Sequence, residues 1–180
     1  SLPPDAITTV SATWTTYEDI SLIQFLPHSH LLGKTWEIFA ITPTTNNTIP
    51  LIRINEWDFD WQFWYSPEYM IHLPVGTVIH ASCTYDNTSD NPNNPNNPPQ
   101  LVSWGDSTTD EMFFVPFRYV LYEEGDENIY LGEEVDDCNN YTTSADCPSD
   151  HCWWDANSGD SGACVHHDGG GLPDCLRICD

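Results

Sequence analysis

From about residue 8 to residue 122, apolar side chains fall in short runs or alternate with polar ones, and turn-forming residues separate the runs at fairly regular spacing. A period of two without any convincing stretch of period 3.6 predicts strands, because successive side chains of an extended chain point to opposite faces. Strands are expected over residues 21–25, 35–41, 51–54, 57–65, 77–85, 101–104 and 112–122. Loops are expected at 42–50, 73–76 and 86–100. The last carries Pro92, Pro95, Pro98 and Pro99, which have no N–H for a ladder, among asparagines that favour turns. The pattern therefore predicts an all-β chain built as an antiparallel β-sandwich. Within the fourth strand, Trp57, Phe59, Trp61, Phe63 and Tyr65 would share one face and fill the core, leaving Trp64 on the polar face with a surface role.

Charge narrows the function classes. The 180 residues hold 28 Asp plus Glu against 4 Lys plus Arg, a formal charge of −24. Such a chain is repelled by phosphate backbones and anionic lipid surfaces, so nucleic-acid binding is excluded. No run approaches the 18 or so apolar residues a spanning helix needs, which argues against membrane insertion. An aromatic content of 13% supplies enough core-forming side chains to argue against disorder. The sequence begins at Ser1 without an initiator Met or an apolar leader, which predicts a processed mature chain or a piece of a longer protein.

The pattern breaks after residue 122. Residues 123–137 carry acids and no base, and read as an extended acidic linker between a sandwich at 1–122 and a module at 138–180. In that module Cys138, Cys147, Cys152, Cys164, Cys175 and Cys179 follow the spacing C-x8-C-x4-C-x11-C-x10-C-x3-C. A segment rich in Asp, Gly and Ser cannot bury enough apolar area to fold unaided, so a small disulfide-rich tail is expected, its pairing open. A zinc site among Cys147, His151, Cys152, Cys164, His166 and His167 is the lesser reading, since no CxxC knuckle is present. The cysteines, with Asn-x-Ser/Thr sequons at Asn46, Asn87 and Asn140, predict a secreted, extracellular or periplasmic glycoprotein. Cys83, left over, falls on the apolar side of its strand and reads as a buried, inert thiol.

The chemistry concentrates in two places. His28 and His30 stand two apart in a stretch that continues to Leu32, Gly33 and Lys34, so an extended backbone presents both imidazoles on one face. Trp104 and Gly105 lead to Asp110, Glu111 and Met112, at the head of an apolar strand. These motifs, in order and with residues 58–62, 73–77, 85–87 and the Asn-Pro repeat between them, resemble the C-terminal catalytic domain of the copper type II, ascorbate-dependent monooxygenases. That family includes peptidylglycine α-hydroxylating and dopamine β-monooxygenases, and the likeness is closer to its bacterial members.

The resemblance spans roughly residues 20–122 and implies a jelly-roll-like sandwich with one copper ion held by His28, His30 and Met112, with no catalytic residues beyond these ligands. Imidazoles suit both copper oxidation states and a thioether favours Cu(I). It further implies C–H hydroxylation with dioxygen, with ascorbate as reductant, when a second, electron-supplying copper domain is paired with this one. Two departures stand out. The family cysteine that follows the copper Met is Phe113 here, which leaves Cys83 without its partner, and only one of the family's two sandwich domains is present. Three functions therefore compete: a monooxygenase domain needing a partner, a copper delivery or electron-transfer module, and a non-catalytic extracellular assembly protein contacting other subunits through its tail. His72 and His80 match no ligand position, and Lys34, Arg53 and Arg118 are too scattered to define a substrate clamp.

Overall fold

The computed structural model describes residues 1–132 and the backbone of two short strands further on, Cys152–Asp155 and Ala163–His166. The chain divides into two units, Ser1–Gly132 and Glu133–Asp180. In the first, strands β1 (Ala6–Thr15), β2 (Ile20–Phe25), β3 (Gly33–Ile41), β4 (Thr48–Ile54), β5 (Ile71–Leu73), β6 (Val78–Asn87) and β7 (Phe117–Leu121) form two antiparallel sheets. One has the order β1-β6-β3-β4, the other β5-β2-β7, in a sandwich-like arrangement.

The alternation of β3 and β6 explains why the two pair in only one register. Trp36, Ile38 and Ala40 of β3 point inward, as do Ile79, Ala81, Cys83 and Tyr85 of β6. Pairing sets Trp36 opposite Cys83, Ile38 opposite Ala81 and Ala40 opposite Ile79, large against small, so the layer fills without crowding. A slip by one residue would turn all of these side chains to the outer face. From the other sheet, Ile20, Leu22, Phe25 and Leu73 close the same core. Each fully buried aliphatic or aromatic side chain contributes about 1.5–3 kcal/mol.

Four sequence expectations are corrected here. Residues 57–65 are not a strand: Asp58 accepts the Asp60 N–H at 2.9 Å and its carbonyl takes the Trp61 N–H at 3.1 Å, an aspartate-initiated turn that breaks the extended run. Trp57 and Tyr65 still pack on the core, but Phe63 is exposed. The run 112–122 becomes strand only at Phe117, because Pro116 has no N–H to donate; 101–104 makes only isolated bridges, Leu2 to Val102 and Trp104 to Glu111. The acidic stretch does not leave the sandwich at residue 122. Asp126 opens a 3-10 turn over Asp126–Asn128 and accepts the hydroxyl of the fully buried Ser21 at 2.7 Å, and backbone bonds from Met70 to Ile129 and from Leu131 to Glu68 tie the chain down as far as Gly132.

The expected loop over 86–100 is present and ordered by side chains. Asn87 is fully buried, at 0% exposure, and its Nδ2 donates to the carbonyls of Leu2 (3.2 Å), Pro3 (3.0 Å) and Gln100 (2.8 Å) while its Oδ1 accepts from Asn94. The sequon at Asn87 is therefore no glycan site in the folded domain, since the amide nitrogen that would carry the sugar ties three chain segments together. Asn46 is exposed, on a turn with positive φ. Beside Asn87, Lys34 donates to Asp86 at 2.6 Å. Burial pushes the Asp86 carboxyl up, but bonds from Lys34 and Thr88 outweigh it and hold it below the usual range.

A depressed carboxyl stabilises the fold above its unfolded pKa, about 3.9, and loses that contribution as pH falls through the folded value. Lys34→Met is accordingly expected to cost about 0.5–1 kcal/mol at neutral pH in urea titrations, given that Lys34 is half exposed. The gap to wild type should close below pH ~4; a gap unchanged at lower pH would assign the loss to alkyl packing instead.

In the second unit, β8 (Cys152–Asp155) and β9 (Ala163–His166) pair antiparallel, with Cys152 opposite His166 and Trp154 opposite Cys164. Cys138, Cys147, Cys175, Cys179, His151, His167 and Asn140 lie outside the described residues, as do the bridges expected in the tail.

Candidate metal centre

The site forms where two distant segments run side by side. Past the end of β2, His28 exchanges two backbone hydrogen bonds with Phe114, at 2.9 and 3.1 Å, in an antiparallel bridge. Two residues on from that bridge on each segment, the N–H groups of His30 and Met112 both turn to the Glu111 carboxylate. The two imidazoles meet edge to face with ring centroids 5.2 Å apart. His28, Met112, Trp64, Trp104, Phe114 and Leu26 line one cavity of about 490 Å³. Of the three residues singled out as metal ligands, His28 thus lies beside His30 and shares the cavity wall with Met112. Neither remaining sandwich histidine joins them: His80 stacks on Phe39 and His72 on Tyr122.

What fixes the segments is Glu111, buried to 5% exposure. Its Oε2 accepts the N–H of His30 at 2.9 Å and of Met112 at 3.0 Å, and its Oε1 accepts the N–H of Leu32 at 2.8 Å. One carboxylate therefore satisfies donors on both sides of the site. Burial pushes the carboxyl above the usual range, against the pull of those three donors and of His30. Beneath it, the buried Tyr85 hydroxyl donates to the Met112 carbonyl at 2.6 Å, and Trp36 Nε1 donates to Ser29 at 3.1 Å. Burial raises the Tyr85 phenol, so it stays a donor.

The aromatic loop closes the site from the outside. Trp57 Nε1 donates to the His30 carbonyl at 3.2 Å, and Phe59 meets the His30 ring edge to face at 5.9 Å. Gly33 permits this approach, since a Cβ there would sit 2.6 Å from the Trp57 ring and 2.3 Å from Ser29 Oγ. Gln62 donates its Nε2 to the Phe59 carbonyl at 2.6 Å, which turns Oε1 toward His28 Nδ1.

Both tautomers follow from these partners. Nδ1 of His28 faces an amide oxygen and Nδ1 of His30 faces the Asp110 carbonyl at 3.1 Å, so each Nδ1 carries the proton and each Nε2 keeps a free lone pair. Burial lowers the His28 pKa, partly offset by the Gln62 bond and reinforced by His30, and so favours the neutral, ligating form. Sequence reading missed Gln62 and the anchoring role of Glu111. A turn signal at Asp58 was available for the first; nothing local marks the second, whose partners lie 79 and 81 positions away.

The family model for the copper type II ascorbate-dependent monooxygenase C-terminal domain matches residues 6–128. The chain belongs to this family. No curated protein matches it as a relative. The family is copper- and ascorbate-dependent, and the residues present fit copper: two adjacent imidazoles whose Nδ1 atoms are hydrogen-bonded, one of them on the same cavity as a thioether. Among the described residues no group of three or more His, Cys, Asp or Glu gathers to hold a metal. This monooxygenase domain also repacks the position after Met112. Phe113 stacks on Trp36, with centroids 5.0 Å apart at 20°, and Trp36 is the cross-strand neighbour of Cys83. Cys83 is free and buried, its thiol pushed up to about 12 chiefly by burial, as an inert core thiol should be.

Proposed function

We propose that the sandwich binds one copper ion through His28, His30 and Met112 and hydroxylates a C–H bond when an electron-supplying copper domain, on another chain or another part of a longer one, is brought to it. The observation that carries this reading is the hydrogen-bonding of the two Nδ1 atoms, which leaves both Nε2 lone pairs available, with the Met112 thioether on the cavity that His28 lines. Copper held there supplies the redox chemistry by which R–H, O2, two electrons and two protons give R–OH and water, with ascorbate as the electron source. The chain's own groups hold and orient: Glu111 sets the ligand segments, Gln62 and the Asp110 carbonyl keep the imidazole protons on Nδ1, and Phe59 and Trp57 shield His30 from solvent. The open cavity at His28 and Met112 favours hydroxylation over simple copper delivery or electron transfer, which need no room for a substrate. Cysteine density in the tail supports a secreted or periplasmic setting, with the tail contacting other subunits.

Loading the purified chain with one equivalent of Cu(I) and desalting it should leave copper bound one to one. X-ray absorption should show nitrogen and sulfur neighbours, with the sulfur contribution gone in Met112→Ala. A folded chain that keeps no copper would defeat the proposal.

A further inference from the structure

The cavity beside the ligands has a composition that selects its occupant. Its volume, about 490 Å³, lies in the range of small-molecule sites. Its wall is Leu26, Trp64, Trp104, Phe114 and Pro116, with His28 the one ionisable side chain lining it. Trp104 is 72% exposed and Phe114 56% exposed, although both are large and apolar. Neither is loosely held. Backbone bonds between Glu111 and residues 103 and 105 flank Trp104, and Phe114 is bridged to His28. Solvent-facing rings on a fixed backbone gain by burying a flat apolar partner, and with two side-chain torsions each they have little conformational freedom to lose.

Charge decides the rest. Of the cations in the sandwich, Lys34 is paired with Asp86 and Arg53 with Glu37, while Arg118 donates to Gln24 and lies over the Trp64 ring at 4.0 Å. An anionic ligand therefore meets no cation in the cavity wall, Arg118 lying outside that lining over the Trp64 ring, and a chain of formal charge −24. A cationic one meets no acid in the cavity wall. We infer that this cavity is the substrate pocket and that it takes a small, uncharged molecule with an aromatic or similarly flat apolar body. The inference rests on the copper reading above for the pocket's role, and on the cavity alone for its chemistry.

The test uses one skeleton with three charges: 2-phenylethanol, phenylacetate and 2-phenylethylammonium, titrated into the metal-free chain by tryptophan fluorescence. Salt of about 0.5 M screens the long-range field of the protein. The alcohol should bind tightest, and Trp104→Ala and Phe114→Ala should each weaken it roughly tenfold. Tyr17→Ala, an exposed aromatic outside the cavity, should leave it unchanged. Loading with Cu(II) should broaden the proton resonances of the bound alcohol. Tighter binding of either charged probe would overturn the inference, as would absence of alcohol binding in a chain that retains copper, an outcome that leaves the copper site standing. A chain that retains no copper removes the pocket's role as a substrate site along with the proposed function.

Discussion

Glu111→Ala should destabilise the domain by about 3–5 kcal/mol and abolish tight copper retention, although Glu111 is no ligand. Removing the carboxylate orphans three backbone N–H groups at once, those of His30, Leu32 and Met112, in a site from which water is largely excluded. An unsatisfied buried donor costs about 1–3 kcal/mol, and relaxation recovers part of the sum. Those donors belong to the ligand segments themselves, so local rearrangement displaces His30 and Met112 relative to one another. Loss of such supporting bonds typically weakens a metal site 10–100-fold.

Glu111→Gln separates shape from hydrogen bonding. Its single oxygen, placed at the Oε2 position, keeps His30 and Met112, but its amide then confronts the Leu32 N–H donor to donor. It should lie between Ala and wild type, about 1–3 kcal/mol down. Urea unfolding and Cu(I) competition with a chelator read both effects. Wild-type stability and affinity in the Ala variant would show that the two segments hold together without the carboxylate.

The second large effect is expected from Asn87→Asp, which changes one atom in the described unit's most heavily tied loop. In place of an amide that donates to Leu2, Pro3 and Gln100, the substitution sets a carboxylate against three carbonyl oxygens with no solvent to screen them. The expected loss at neutral pH is about 3–5 kcal/mol. Repulsion and burial raise the folded pKa of the introduced carboxyl above its unfolded value of about 3.9. With the folded value raised, the variant is least impaired below pH ~4 and loses stability as pH climbs toward the folded pKa. Thermal unfolding from pH 4 to 8 checks the slope. A variant within 1 kcal/mol of wild type throughout would mean that the three carbonyls have other donors. Intact-mass analysis of wild type from a glycosylating host should find the Asn87 peptide unmodified.

Much of the sandwich was legible because β3 and β6 obey strict alternation, and Trp36, Ile38, Ala40, Ile79, Ala81 and Cys83 announce one face each. Strand β1 was not, although it spans Ala6–Thr15, because its extended form rests on β-branched Thr8, Thr9, Val10, Thr13 and Thr15 on a half-exposed edge instead of on apolar periodicity. The aromatic row at 57–65 misled for the opposite reason. Its alternation ran unbroken from Trp57 to Phe63, but a side-chain acceptor at Asp58 offered the backbone a turn, and the row became the cover of the candidate metal centre. The candidate ligands rest on spacing and family likeness. Their support could not, since Glu111 and Gln62 act across long sequence separations and nothing in their own neighbourhoods names their partners. The Asn87 sequon shows the limit of a motif: three letters fit an acceptor, while the surrounding carbonyls use the same amide as a brace.

The pairing of His28 with Phe114 also sets a schedule for biosynthesis. The two histidines leave the ribosome before Gln62, Glu111 and Met112 exist, and loop closure over so long a separation must wait for those residues. The nascent domain thus offers only a loose pair of imidazoles to passing metals. In the proposed copper site a high-affinity grip would arise only after residue 112 has emerged and the core has closed around it, so that metal selection would fall to the finished fold and not to the growing polypeptide.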